Sequence, residues 1–519
     1  MFNSTSLLEA QLARGAKLIG SGVVERDKDW VVKDCRKYIT EHSHLMRNLD
    51  LNKKREKMKT LILDYLDLNK PVVSGFTDAN GTPDLRRLND MLQTEIMDYG
   101  ILTKAILDPE VYELRLNCKE VKIEKGGKIV DLKDDDGKVL SFTNREQQET
   151  VLRKILGDVR LNPKFAVVNA RTQDGYRVAA VHHTAISPDP LRPTEDVYNA
   201  AVIRKFKQSK MNLNDIVKYK TMSDNMAKLC SVLAAGGCTF FTVGPTASGK
   251  TTTNNAILQA VPADTRTVLL QNPSEIDLRK REEGTGRIYN DVLHLEGREI
   301  ENPSPYDPTV PNLMDHILRL SPTFVCFGEL RSDKEFRLGL KIGRAGHPLN
   351  ATYHAEDSQG GAGRFVEAVI AESGNMPYHL ALSAFAQITN FIIVQKIMRD
   401  GTRKVLEITE VVGIDPENEN RLRLNKLYEF VPMGEPVYNS EGKVIDIPGV
   451  HVRVGSLSLR TIKKFKFEGI PTNKYSFLLN QVNVERDEQG NITNMKELET
   501  ETYVGENDLS LVGKIEKSA

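Results

Sequence analysis

From Met222 onward the chain alternates short, wholly apolar runs with longer amphipathic stretches. The runs Thr239–Val243, Thr267–Leu270, Phe324–Phe327, Asn350–Tyr353 and Phe391–Lys396 lack the polar alternation of a half-exposed strand. They therefore predict strands buried on both faces, with helical crossovers between them, as in a parallel-sheet α/β domain. Earlier the period changes. A helix-period pattern runs from Leu85 to Leu107, and Val111–Leu116, Glu120–Glu124, Lys128–Leu132, Phe165–Asn169, Tyr176–His183 and Ala200–Phe206 alternate as strands, which predicts an α+β domain. Residues 1 to about 80 combine charged helical stretches with a turn-rich segment from Pro71 to Pro83. After about Asp415 the pattern is strand-rich, and from Thr472 it is polar, with a turn expected at Glu488–Asn491. These shifts predict a helical N-terminal module and linker (1–83), an α+β domain (84–210), a parallel-sheet domain (211–415) and a strand-rich C-terminal extension (416–519).

The strand Thr239–Val243 runs directly into Gly244-Pro245-Thr246-Ala247-Ser248-Gly249-Lys250-Thr251. Two glycines let such a loop curl with its N–H groups inward, the lysine supplies a point charge toward the β- and γ-phosphates, and the Thr251 hydroxyl is a Mg²⁺ ligand. The following Thr252–Leu258 stretch reads as the helix whose positive N-terminus faces the anion. A full eight-position pattern between strand and helix makes a chance match in a glycine-bearing turn improbable, so the chain is expected to bind a nucleoside triphosphate, with Gly244 through Thr252 forming its cradle.

Composition narrows the classes. A length of 519 residues suggests about three domains. The 71 basic and 71 acidic residues cancel, which argues against a dedicated nucleic-acid binder. No stretch approaches the roughly 20 apolar residues of a membrane span, and the start MFNSTSLLEAQLARGAKL lacks a signal-peptide core, so a cytoplasmic location is expected. Five scattered cysteines without a Cys-x-x-Cys pair fit free thiols and indicate no zinc site. The acidic run at Asp134–Asp136 lacks the outer ligands of a calcium loop and reads as a hairpin turn.

A triphosphate hydrolase also needs a carboxylate at a neighbouring strand end, and Phe324-Val325-Cys326-Phe327-Gly328-Glu329 delivers Glu329 there. Glu329-Leu330-Arg331, Gly343-Arg344-Ala345-Gly346-His347 and Thr352-Tyr353-His354-Ala355 resemble the Walker B and histidine boxes of the secretion ATPase superfamily of type II secretion, type IV pilus, tight-adherence pilus and type IV secretion motors. Met314–Glu329 with Arg319, and Leu406–Val411, are similar to the superfamily's approach to Walker B and to its closing motor strand. Asn169-Ala170-Arg171, Asp174–Val178 and Val202–Phe206 resemble the N-terminal domain of the tight-adherence and type IV secretion branch. The resemblance spans roughly residues 95–415.

It implies a RecA-like parallel-sheet P-loop motor domain preceded by an α+β, PAS-like N-terminal domain, assembled as a homo-hexamer that uses ATP and Mg²⁺. In that frame Lys250 and Glu329 are catalytic, Thr251 and Glu329 are the metal residues, His354 senses the γ-phosphate, and Arg177 and Arg204 reach nucleotide across a cleft. The implied partner is an inner-membrane platform protein of a pilus or secretion system. Membrane association would be peripheral, through partners, at the inner face of the cytoplasmic membrane, and no direct nucleic-acid contact is expected.

There is one departure. The family's aspartate box has an acidic pair where this chain carries Gln271 and Asn272, while Glu275 is retained as a further catalytic candidate. A neutral amide positions water but cannot take its proton, which shifts the burden to Glu329 and keeps open a nucleotide-gated structural subunit with weak hydrolysis. A nucleic-acid-translocating hexamer shares the same fold elements. A small-molecule kinase would leave the N-terminal domain without a use.

Overall fold

The computed structural model describes residues 17–504 apart from 20–22, 47–50, 78–81, 118, 126–127, 135, 158, 172–175, 192–195, 206–210, 273, 299–302 and 499. Asp135, Asp174, Gly175, Phe206 and Pro273, which belong to the sequence motifs, lie outside the described residues, as does Cys118. The chain divides into two compact units, Met1–Ser209 and Lys210–Ala519. No helix among the described residues is long and apolar enough to cross a membrane.

The first unit begins with a small sheet of β1 (Lys17–Ile19), β2 (Val23–Arg26) and β3 (Val72–Val73), which adds strands to a region that reads as helical in sequence. Helices Lys28–Glu41, Leu51–Asn69 and Leu85–Met97 share a core of Val31, Ile62, Tyr65, Leu88 and Leu92. The helix expected from Leu85 to Leu107 is broken at Met97 and resumes as Thr103–Leu107. The cause is local. Gly100 takes φ +58, and the Asp98 carboxylate accepts from Gly100 N at 2.8 Å and Thr103 Oγ1 at 2.7 Å, side-chain bonding that competes with the helical ladder.

Strands β4 (Val111–Leu116), β5 (Val121–Lys125), β6 (Lys128–Asp131), β7 (Val167–Arg171), β8 (Arg177–Val181) and β9 (Ala200–Arg204) form an antiparallel sheet of order β6-β5-β4-β9-β8-β7. Its inward residues Leu114, Ile203 and Val178 pack with Leu152 and Ile155 of helix Arg145–Leu156.

The second unit is built on a nine-stranded sheet of β10 (Phe240–Val243), β11 (Thr267–Gln271), β12 (Val292–Glu296), β13 (Phe324–Phe327), β14 (Leu349–Tyr353), β15 (Phe391–Ile397), β16 (Arg403–Asp415), β17 (Asn418–Pro432) and a last strand at Gly449–Arg453. The order β12-β11-β13-β14-β10-β15 is parallel throughout, and all of β10, β11, β13 and β14 is buried, as the unbroken apolar runs require. Period 2 sorts their side chains between two cores: Phe240 and Leu269 to one face, Phe241 and Val268 to the other. Among the described parallel strands, β12, an edge strand half-buried up to the exposed Glu296, has no apolar run to announce it.

β16, β17 and Gly449–Arg453 continue the sheet in antiparallel fashion, with a short hairpin of β18 (Val437–Tyr438) and β19 (Val444–Asp446) before the last strand, β20. Phe465 of helix Leu459–Phe467 enters the same core as Val232 and Tyr428. Residues 500–504 then lie against the start of helix Asp224–Ala235: Asp224 N donates to Thr502 O at 2.9 Å, and Val504 N donates to the Asp224 carboxylate at 2.7 Å.

Candidate nucleotide site

Parallel register alone gathers the expected loops at one edge. Val243 pairs with Tyr353, so Gly244 and His354, the next residue on each strand, leave the sheet side by side. β13, the other neighbour of β14, delivers Gly328 and Glu329 to the same edge, where Leu330 N donates to Thr352 O at 2.9 Å. Carboxyl ends of parallel strands are where open α/β sheets place their ligands.

The phosphate loop follows. A Cβ on Gly244 would lie 1.9 Å from Gln395 O, so only glycine lets β10 turn this close to β15. Gly249 caps helix Lys250–Leu258 at φ +88. Lys250 is 7% exposed, and its Nζ donates to Gly244 O and Pro245 O, both at 2.9 Å. Burial pushes its pKa below the ordinary lysine value, and the Glu329 charge works against that shift. Phosphate oxygens are stronger acceptors for this ammonium than two carbonyls. Ser248 Oγ is buried with no hydrogen-bond partner among the described residues. Thr251 and Thr252 are half-buried on the first turn, and beneath it Asn254 bonds Asn350 at 2.6 Å, fastening the helix to β14.

The acidic side of the site is linked to the loop through His354. Its Nδ1 lies 3.2 Å from Gly244 O and its Nε2 3.2 Å from Glu329 Oε1. The second Glu329 oxygen accepts from Arg331 Nε at 2.7 Å. Glu329, Arg331 and His354, with Leu330, Phe336 and Arg364, line a cleft of about 220 Å³. Lys250, Glu329 and His354 are thus brought together. Glu275 is exposed on the loop after β11 and does not line that cleft.

Gln271 has a different occupation. It is 2% exposed; its Oε1 accepts from Glu275 N at 2.9 Å and Ile276 N at 2.7 Å, and its Nε2 donates to Ser274 Oγ at 3.1 Å and Ile276 O at 2.9 Å. The amide holds the loop as donor and acceptor at once. A carboxylate cannot replace it, because it has no donor for Ile276 O.

Arg177 and Arg204 lie in the first unit as directly opposed residues of β8 and β9, and Glu113 opposes Arg204 from β4. Directly opposed antiparallel residues share a face. Glu113, 6% exposed, accepts from Arg204 Nε at 3.3 Å and from Arg115 Nε at 2.6 Å, so one carboxylate orients two guanidinium groups.

Sequence reasoning did not single out Gln395 or Arg403. Gln395 Nε2 donates to Ser248 O at 2.7 Å from β15, and Arg403 Nε donates to Ala247 O at 3.2 Å from β16. A signal existed for the first, an amide inside the apolar run Phe391-Ile392-Ile393-Val394-Gln395. Arg403 left none, since its reach depends on the antiparallel return of the chain.

The fold and site define a RecA-like P-loop core with an α+β domain ahead of it, its acidic and histidine loops gathered beside the phosphate loop. The chain belongs to the family described as Type II/IV secretion system protein, whose model matches residues 98–440. An uncharacterized protein of Methanocaldococcus jannaschii is 24% identical over 249 residues, covering 48% of this chain and 40% of that protein. Type II secretion system protein E of Xanthomonas campestris pv. campestris is 20% identical over 362 residues, 67% of this chain and 56% of that one. The chain therefore spans about half the length of these two relatives. Among solved structures, the ATPase DotB of Legionella pneumophila is 17% identical over 62% of this chain and 81% of that chain, with a TM-score of 0.43.

Proposed function

We propose that the chain is an ATPase motor of a type II or type IV secretion machine or a type IV pilus, working as a homo-hexamer on an inner-membrane platform protein at the cytoplasmic face. The observation that carries this reading is the convergence of Lys250, His354 and Glu329 at the carboxyl edge of the sheet. Lys250 would exchange its two carbonyl acceptors for the triphosphate. Glu329 would orient and deprotonate the attacking water, with Arg331 fixing its second oxygen. His354 would couple the terminal phosphate to Glu329, so that loss of that phosphate is felt at the acidic residue. Mg²⁺ fits the hard oxygen donors present, the Thr251 hydroxyl and the Glu329 carboxylate, and bound there it would neutralise charge on the phosphates. Arg177 and Arg204 are proposed to complete the site from the first unit, held ready on one face beside Glu113.

A second reading is favoured by Gln271. Its amide is committed to the 274–276 loop, which leaves Glu329 as the cleft's carboxylate and fits a subunit that binds ATP but turns it over slowly. One set of measurements separates the two. Wild-type chain should release phosphate from ATP steadily and show a six-fold mass with an ATP analogue, while Glu329→Gln should retain nucleotide and lose about a hundredfold or more in turnover. Wild-type turnover no faster than that of the variant selects the gated subunit. A mild loss in the variant moves the base to Glu275.

A further inference from the structure

The first unit holds a group of ligand-bearing side chains remote in sequence from the phosphate loop and from the Glu329 and His354 boxes. β8 ends at Val181, and the chain passes through His182 into a tight turn at His183–Ala185. Successive residues of an extended strand point to opposite faces. The turn cancels that alternation: the two imidazole rings lie 4.1 Å apart, tilted by 36°. Glu149 approaches from helix Arg145–Leu156, its Oε1 3.5 Å from His183 Nδ1. One ligand atom from each of Glu149, His182 and His183 lies within 4.8 Å of the other two. Bonds of about 2.1 Å in tetrahedral geometry separate ligand atoms by about 3.4 Å, so rotamer adjustments on the order of an ångström would close these three on one ion.

The surroundings are prepared for such a role. Gln148, fully buried beside Glu149, accepts from Asn199 N at 2.9 Å and donates to Asn199 O at 3.0 Å, while Asn199 Oδ1 accepts from His183 N at 2.9 Å. The helix, the entry to β9 and the histidine turn are therefore locked together independently of any ion. His182 Nδ1 accepts from Thr184 N at 3.3 Å and lies 2.9 Å from Thr184 Oγ1, two contacts that fix the orientation of the ring at the head of the turn. His183 Nδ1 is buried and makes no hydrogen bond among the described residues. Arg145, with Nε 3.6 Å from Glu149 Oε1, is the cation that balances this carboxylate when no metal does.

We propose that Glu149, His182 and His183 bind a divalent transition-metal ion of the zinc class through two imidazoles and one carboxylate, with water completing the coordination. Imidazole donors select such ions over Mg²⁺ and Ca²⁺, which take oxygen. The ion would clip helix Arg145–Leu156 to the end of β8, the strand that begins at Arg177. Cysteine spacing is blind to this site, because none of its ligands is a cysteine and the third comes from another element.

The test uses the full chain stripped of metal by chelation, in excess Mg²⁺, titrated with Co²⁺ and followed by its visible absorption, then displaced with Zn²⁺. One saturable equivalent should bind. Glu149→Gln and His183→Gln, both checked for native circular dichroism, should each weaken Co²⁺ binding by tenfold or more, and Thr184→Val by a smaller factor. Glu149→Gln preserves shape at a half-buried position, so it keeps the test decisive if a histidine variant fails to fold. Absence of a saturable equivalent, or equal Co²⁺ affinity in wild type and Glu149→Gln, overturns the proposal and leaves a Glu149–His183 ion pair with cobalt bound elsewhere.

Discussion

Glu410 and Lys250 are both buried charged residues attached to the same nine-stranded sheet, yet their surroundings are finished differently. Glu410, 1% exposed on β16, accepts from Ser458 Oγ and Thr461 Oγ1, each at 2.5 Å, from Asn425 Nδ2 at 2.8 Å and from Ser458 N at 3.1 Å. Four donors use both carboxylate oxygens and pin helix Leu459–Phe467 to the sheet. His451 is equally committed: Nε2 donates to Val405 O at 2.8 Å, and Nδ1 accepts from Tyr503 OH at 2.7 Å. Around Lys250 the ammonium rests on loop carbonyls, while Ser248 Oγ and Gln395 Oε1 are buried with no hydrogen bond among the described residues. A fully satisfied polar network rigidifies what it joins; an under-satisfied one holds groups whose better partners come from outside. The contrast separates architecture from chemistry within one unit.

The largest effect should come from the under-satisfied side. Lys250→Ala is expected to lower ATP turnover by about 10²–10³-fold, about 3–4 kcal/mol of transition-state stabilisation, in a phosphate-release assay. Its thermal midpoint should not fall, because the variant removes a charge whose burial is costly. A collapse in stability without a specific loss of turnover would erase the contrast between the two surroundings. On the satisfied side, Glu410→Ala strands Ser458, Thr461 and Asn425 and should cost about 3 kcal/mol in urea unfolding, with ATP affinity spared. Equal stability of variant and wild type would show that the four hydrogen bonds contribute little net.

The smallest effect is a pH dependence. Burial pushes the His451 imidazole down to about 4, against an ordinary value of 6.5. The unfolded chain therefore binds the proton first, so this contribution is complete above about pH 6.5 and is lost as pH falls toward 4. Between pH 7 and pH 5 the wild type should lose about 2 kcal/mol more than His451→Asn. Identical pH profiles would mean that the ring is reached by water and is not part of the closed network.

Much of the site is legible in the amino-acid sequence. Gly244–Thr251 carries its chemistry in consecutive residues, and the unbroken apolar runs ending at Val243, Phe327 and Tyr353 place Glu329 and His354 on one edge, because parallel strands align their carboxyl ends. Gln271 is different. Its neutral side chain stands out in sequence as a missing acid, whereas the structure shows an amide holding a loop, a role that depends on which backbone groups face it.

The sequence by itself determined the elements whose signals are local: the phosphate loop, the buried strands, the two classes of periodicity and the placement of Arg177 and Arg204 on strands of one domain. Tertiary structure alone decided what depends on register and chain return. It carried residues after 415 back into the nine-stranded sheet, brought Gln395 and Arg403 onto the phosphate loop, set Glu113 between two arginines, and placed Glu149 beside His182 and His183. Each of these joins residues far apart in the chain or on different strands. Their proximity follows from how strands align and cores close, and no spacing along the chain encodes it.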